Sequence, residues 1–170
     1  MAAGSTYTPI ATTTLGSAAS SVTFSSISGS YTDLVIVATF TTASNSANFN
    51  LTYNSDTTSG LYSKTQLEGD GTSVLTNRTT GANNIGLESN IGTNTTSPSI
   101  QIINIMNYAN TTTYKTALIR QTGWYTGASG TSTRVGLWRN TNAITSITLG
   151  NGAVNMAIGS TFTLYGITAA

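Results

Sequence analysis

Tyr31-Thr32-Asp33-Leu34-Val35-Ile36-Val37-Ala38-Thr39-Phe40-Thr41 decides the reading of the fold. Its centre, Leu34 to Val37, is a continuous apolar run rich in β-branched residues, set between the turn formers Ser28-Gly29-Ser30 and Ala43-Ser44-Asn45. β-Branched side chains lose rotamer freedom in a helix and pack well on a pleated surface, so a short run with these boundaries reads as a central strand covered on both faces. The next element has a different rhythm. Phe49, Leu51 and Tyr53 alternate with Asn50 and Thr52, the period-2 pattern of a strand with one buried and one wet face, and Asn54-Ser55-Asp56 stops it.

Working outward, further strands are expected at Val22 to Ile27, Tyr62 to Glu68, Asn84 to Ile91, Ile100 to Met106, Tyr114 to Gln121, Arg134 to Trp138, Ile144 to Leu149 and Thr161 to Ile167. Gly69-Asp70-Gly71, Asn140-Thr141-Asn142, Gly150-Asn151-Gly152 and Gly159-Ser160 punctuate them with residues that tolerate positive φ. No window carries apolar residues at i, i+3, i+4 and i+7 among good helix formers, and about a fifth of the positions are Thr, a weak helix former. The expectation is an all-β protein: an antiparallel, jelly-roll-like β-sandwich of about eight to ten strands. Residues 13–170 read as one sandwich domain and residues 1–12 as an N-terminal arm, with Gly123 to Thr133 as a long exposed loop.

Charged residues make up only 6% of the 170 positions, against a usual share of about a quarter, and the net charge is +1. A neutral surface of Thr, Ser and Asn lacks the charge that keeps freely diffusing proteins apart and suits a fixed array of copies. Low hydrophobicity with high net charge marks disorder; this chain has neither. The opening Met-Ala-Ala-Gly-Ser-Thr-Tyr-Thr-Pro carries no basic and apolar leader pattern and no later run is long enough for a membrane helix, so a product made in the host cytoplasm without a signal peptide, with no membrane partner, is expected.

With no His and no Cys, a Ser-His-Asp triad and a thiolate or imidazole zinc site are excluded, and no catalytic residue, cofactor or metal is expected. Carboxylate chemistry is what remains, from Asp33, Asp56, Glu68, Asp70 and Glu88. A glycosidase would need two of them facing across a cleft; Glu68 and Asp70 share strand parity, but Asp in an Asp-Gly turn serves backbone geometry more often than catalysis or calcium binding. Glu68-Gly69-Asp70-Gly71 lacks the lysine of a phosphate loop and the helix of a dinucleotide fingerprint. The sequons at Asn50, Asn77, Asn94 and Asn110 are what a chain rich in Asn and Thr produces by chance. Every acid lies at or before Glu88, whereas Lys115, Arg120, Arg134 and Arg139 follow; the basic residues are too scattered for nucleic acid, but Arg134 and Arg139 could belong to a positive patch that meets an acidic patch on a neighbouring subunit. Among the aromatics, Trp124-Tyr125 between Gly123 and Gly127 is the pair best placed to be exposed, as a platform for a sugar or for a subunit contact.

Several blocks resemble a known group. Tyr31-Thr32-Asp33-Leu34-Val35-Ile36-Val37, Phe49 to Asn54, Leu61-Tyr62-Ser63, Asn104-Ile105-Met106-Asn107-Tyr108-Ala109-Asn110, Thr111 to Thr116, Val135-Gly136-Leu137-Trp138-Arg139-Asn140 and Phe162-Thr163-Leu164-Tyr165-Gly166-Ile167 are similar to blocks of small β-sandwich virion structural proteins from tailed phages of aquatic bacteria, cyanophages among them. The resemblance spans most of the chain and carries no catalytic motif. It implies a virion surface protein, either a capsid decoration (cement) protein or a tail-fibre-type domain. Without heptads or a fibre shaft the chain fits decoration better, as a homotrimer packed on itself and on the major capsid protein. Tyr7, Pro9 and Ile10 of the arm are the candidates for strand-like pairing with the shell or a neighbour. The alternative is a receptor- or glycan-binding tail module, in which Trp124 and Tyr125 would face host surface glycans.

Overall fold

The computed structural model describes residues 6–44, 49–87, 93–125, 128–151 and 154–168, with the main chain alone at 124, 125, 128, 129 and 151. These residues form twelve strands: β1 (Tyr7–Thr14), β2 (Ser21–Phe24), β3 (Asp33–Phe40), β4 (Phe49–Tyr53), β5 (Tyr62–Gly69), β6 (Val74–Ala82), β7 (Ile85–Gly86), β8 (Ser99–Ile105), β9 (Lys115–Tyr125), β10 (Ala128–Trp138), β11 (Ile147–Asn151) and β12 (Thr161–Ile167). All named pairings are antiparallel. Two sheets result, one in the order β1-β12-β3-β8-β9-β10-β5-β6 and one in the order β2-β11-β4-β7.

The topology resolves into a jelly roll with two additions. Setting β5–β6 and β9–β10 aside leaves β1-β12-β3-β8 opposite β2-β11-β4-β7. Each of these eight strands passes to the other sheet, except for the β4–β7 neighbour pair, and that is the order of a double Greek key. The first hairpin, β5–β6, is inserted between β4 and β7; the second, β9–β10, between β8 and β11. Both join the same sheet, and pairing of β10 with β5 welds them side by side.

The core lies between the sheets. Leu34, Ile36, Phe40, Ile103, Ile105, Phe162 and Leu164 from the large sheet meet Val22, Phe24, Phe49, Leu51, Ile147 and Leu149 from the small one, all buried. Phe40 stacks between Phe49 and Phe162, with ring centroids 4.5 and 5.7 Å away. Two glycines set how closely neighbours approach: a Cβ on Gly136 would lie 2.7 Å from Ile85, and one on Gly166 would lie 2.4 Å from the Tyr31 ring. At one end Tyr53, Tyr62 and Trp138 pack together. Asp56 organises this end, accepting a hydrogen bond from Trp138 Nε1 on Oδ2 (2.9 Å) and one from the Tyr62 hydroxyl on its carbonyl oxygen (2.9 Å). Burial pushes the Tyr62 hydroxyl up to about 12 and the enclosed Tyr53 hydroxyl higher still.

One turn chemistry recurs. The side-chain oxygens of Asp56, Asp70, Asn94, Asn110 and Asn140 each accept the backbone N–H two residues on. At Asn94 and Asn110 the same oxygen also accepts the hydroxyl of Thr96 or Thr112. The Asn-x-Thr spacing at these two sequons serves a turn.

The strands expected at 31–41, 49–53, 62–68, 100–106 and 161–167 are present within a residue or two at each end. The count is twelve among the described residues rather than eight to ten, because β1 and β6 were not recognised. Gly123 to Thr133 is not a long loop: β9 and β10 run on through it to Tyr125 and from Ala128. Gly150 and Asn151 belong to β11 rather than to a turn. The strand expected at 84–91 is observed as Ile85–Gly86, and residues 88–91 lie outside the described part.

Candidate functional site

Strand register allows each face of the large sheet to be followed across the molecule. On the inner face one row runs Glu68–Ser132–Gln121–Gln101–Ala38–Phe162. The next runs Gln66–Arg134–Ile119–Ile103–Ile36–Leu164. Both begin polar in the inserted hairpins and turn apolar in the jelly roll. All twelve residues are buried. The polar ones form a chain: Arg134 donates from Nε to Gln66 Oε1 (3.0 Å) and from Nη1 to Gln121 Oε1 (2.7 Å), and Gln66 Nε2 donates to Glu68 Oε2 (2.8 Å). Among the described residues, Glu68 Oε1, Ser132 Oγ and both polar atoms of Gln101 find no partner. Buried polar groups left in this state cost stability.

The outer face has the opposite gradient. Its rows run Leu67–Thr133–Arg120–Ile102–Val37–Thr163–Thr12 and Thr65–Val135–Leu118–Asn104–Val35–Tyr165–Pro9. At the β1–β12 edge this surface carries threonines whose hydroxyls pair with each other, Thr12 with Thr163 at 3.2 Å and Thr14 with Thr161 at 3.4 Å, beside Val37, Val35 and Tyr165. In the hairpin half and on the adjoining strand β8 it is aliphatic and open: Leu67 is 49%, Leu118 39%, Val135 51% and Ile100 44% exposed. A groove of about 560 Å³ crosses it, with Val74 and Leu67 on one side, Ile100 and Ile102 on the other, and Thr133 and Arg120 between them. Clustered aliphatic side chains on a water-facing sheet mark a surface built to be covered.

The seven residues expected to make contacts separate under this geometry. Tyr7 and Pro9 pair with β12 of their own chain in the edge strand β1, which also contains Ile10, so this stretch is part of the large sheet instead of a free arm. Tyr7 meets Tyr165 edge to face at 6.2 Å, and a register shift between Pro9 and Ala11 turns Ile10 toward the core. Arg134, expected in a surface patch, is buried in the inner polar layer. Arg139 is held by its own neighbourhood, donating to the Gly60 carbonyl (3.4 Å) and to Ser63 Oγ (3.1 Å). The main chains at Trp124 and Tyr125 pair with Ser129 and Ala128, and their side chains lie outside the described part of the structure.

Among the described residues the acidic and basic halves of the sequence are interleaved, because β5 from the first lies beside β10 from the second. Asp33 caps a turn through the Asn107 N–H (2.6 Å). Lys115 is buried and donates to the carbonyls of Thr113 and Thr141, and burial lowers its pKa. Asp70 accepts the N–H groups of Ser73 and Thr72 and the Ser73 hydroxyl, which hold its carboxyl down to about 2. It closes the β5–β6 turn. No group of three acidic, His or Cys residues that could hold a metal occurs among the described residues, and Glu88 lies outside them.

The aliphatic positions of the outer face were the residues that sequence reading missed. Their signal was available: Ala117, Leu118 and Ile119 on β9, and Val135, Leu137 and Trp138 on β10, place apolar residues at both strand parities. No family model, no curated protein and no solved structure matches the chain. What fold and face define together is an antiparallel jelly-roll sandwich, widened by two hairpins whose outer surface is aliphatic.

Proposed function

We infer that this chain is a non-enzymatic structural module that works by packing against other protein subunits, and that its place is the surface of a bacteriophage particle, as a capsid decoration protein. The observation that carries the packing role is the outer face of the inserted hairpins and of the adjoining strand β8, where Leu67, Leu118, Val135 and Ile100 stand in water beside a buried polar layer. A freely diffusing monomer gains nothing from that arrangement, whereas a subunit in an array gains the burial of those side chains at about 25 cal/mol per Å². The low charge of the whole surface fits the same role, and the resemblance of the chain's strand blocks to small virion proteins supports the particle as its setting. Copies would gather around symmetry axes, as a homotrimer seated on the major capsid protein.

The test is quantification in purified particles together with a binding assay on undecorated shells. Copy number on the scale of the shell protein, and sedimentation of added chain with the shells, are expected. A copy number on the scale of the tail would move the chain to a tail module, and absence from the particle would end the reading.

A further inference from the structure

Arg120 sits in the middle of the aliphatic groove. Its cross-strand neighbours are Thr133 and Ile102, and the row continues to Leu67 on one side and Val37 on the other. It is exposed and makes no hydrogen bond or ion pair with any described residue. The second charge on this face is Arg78 on β6, in the row that passes through Thr65 and Val135. No described acid is available to either: Glu68 points to the opposite face, and the carboxylates of Asp33, Asp56 and Asp70 are occupied by main-chain N–H groups or by Trp138. Among the described residues the face is therefore aliphatic and threonine-bearing, and its charges are cationic. A second copy of the same face would bring Arg120 and Arg78 against like charges, so self-pairing through it is disfavoured.

We propose that this groove is the docking site for an acidic, aliphatic segment of a partner protein: a carboxylate that takes the Arg120 guanidinium, flanked by Leu, Ile or Val side chains that fill the space between Leu67, Val74, Ile100 and Ile102. A guanidinium fork matches a carboxylate with two parallel hydrogen bonds, and surrounding aliphatic side chains exclude water from the pair and strengthen it. The groove fixes which partner surfaces fit, because a basic segment is repelled and a purely apolar one leaves Arg120 desolvated and unpaired. The proposal rests on the packing role inferred above and names the chemistry of its partner.

The experiment is selection from a random displayed peptide library on the full chain, followed by titration of the winning synthetic peptide. Enrichment of Asp or Glu adjacent to Leu, Ile or Val is expected, with binding at least about tenfold weaker for Arg120→Glu and an intermediate loss for Arg120→Lys, which keeps the charge and loses the fork. Leu67→Asp should abolish the same binding. Thermal melts of each variant confirm that the fold is retained. A library that gives no binder, binders without carboxylates, or affinities indifferent to Arg120 and Leu67 would overturn the proposal. Binding of phosphatidylglycerol vesicles in place of peptide would also overturn it, in favour of an anionic lipid surface. Shell sedimentation separates this result from the broader role: if Arg120→Glu still sediments with shells, the groove is wrong and packing stands; if the wild-type chain binds acidic peptide but never shells, packing on the particle is wrong and the groove stands.

Discussion

On β3 and β12 the inner face is Leu34, Ile36, Phe162 and Leu164, and the outer face mixes Thr39, Thr161, Thr163 and Tyr165 with Val35 and Val37; on β5 and β10 the inner face carries Gln66, Glu68, Ser132 and Arg134 before it ends in Tyr62 and Trp138, and the outer face carries Leu67 and Val135. Both halves belong to one hydrogen-bonded sheet, yet its inner face is apolar in one and largely polar in the other. The jelly-roll half buries what water rejects and is complete as it stands. The hairpin half encloses polar groups that would be better hydrated and leaves aliphatic ones outside. Because side chains alternate strictly along a strand, a one-residue slip in register would reverse this, and the hydrogen-bonded chain through Glu68, Gln66, Arg134 and Gln121 opposes such a slip. Buried polar networks of this kind are better at fixing one arrangement than at adding stability.

The largest expected effect is in the complete half. Phe162→Ala removes a ring stacked on Phe40 in a fully enclosed site and should destabilise the fold by about 3–5 kcal/mol in denaturant titration. In the hairpin half, Arg134→Met leaves Gln66 Oε1 and Gln121 Oε1 without their donor and should cost about 3 kcal/mol, whereas replacing Gln66, Glu68, Gln121 and Arg134 together by apolar residues of similar size should be close to neutral. A large loss in the combined variant would mean that the network stabilises the fold and would weaken the contrast between the halves. Gly136→Ala, where the hairpin half meets Ile85 of the small sheet, should cost about 1–3 kcal/mol, since the new methyl group has to displace that side chain.

On the outer face the contrast concerns binding and leaves stability nearly untouched. Leu118→Asp and Val135→Asp should each change stability by no more than about 0.5 kcal/mol and abolish shell binding, whereas Thr163→Asp at the β1–β12 edge should leave shell binding as it was. Equal loss from all three would spread the contact over the whole sheet and remove the distinction.

How much of this was legible follows the same division. The jelly-roll strands announce themselves, because Leu34 to Val37 is a continuous apolar run with Leu34, Val35 and Ile36 all buried, and Phe49 to Tyr53 alternates about one buried face. β6 gave no such sign: Val74-Leu75-Thr76-Asn77-Arg78 lies on the sheet edge with both faces largely in water, and a strand that buries nothing imposes no alternation on its sequence. β1 was hidden for a related reason, since its Thr residues lie on the exposed threonine surface and Pro9 on an edge strand looks like a break. Arg134 misled because a charge is normally a surface residue; only the register that places Gln66 and Gln121 beside it reveals a buried one.

The smallest effect concerns the turn at the tip of the inserted hairpin. Asn94, Asn110 and Asn140 hold their turns with a neutral amide oxygen, whereas Asp70 holds the β5–β6 turn with a carboxylate that the N–H groups of Ser73 and Thr72 keep down to about 2. A carboxyl whose folded pKa lies below its unfolded value of about 3.9 favours the folded hairpin above that value, and this contribution is lost as the pH falls from about 4 toward 2. Wild-type protein should therefore show a drop in melting temperature across that window, and Asp70→Asn should remove part of the drop while keeping the turn, because an amide oxygen still accepts both N–H groups. The amides of β6, tied to the sheet on one side only, are where amide exchange should first report the opening. Identical acid profiles for the two proteins would assign the whole acid response elsewhere, first to Asp56, whose carboxyl is also held low by the Thr58 and Trp138 hydrogen bonds against a desolvation that opposes them, and which lies at the seam between the two halves.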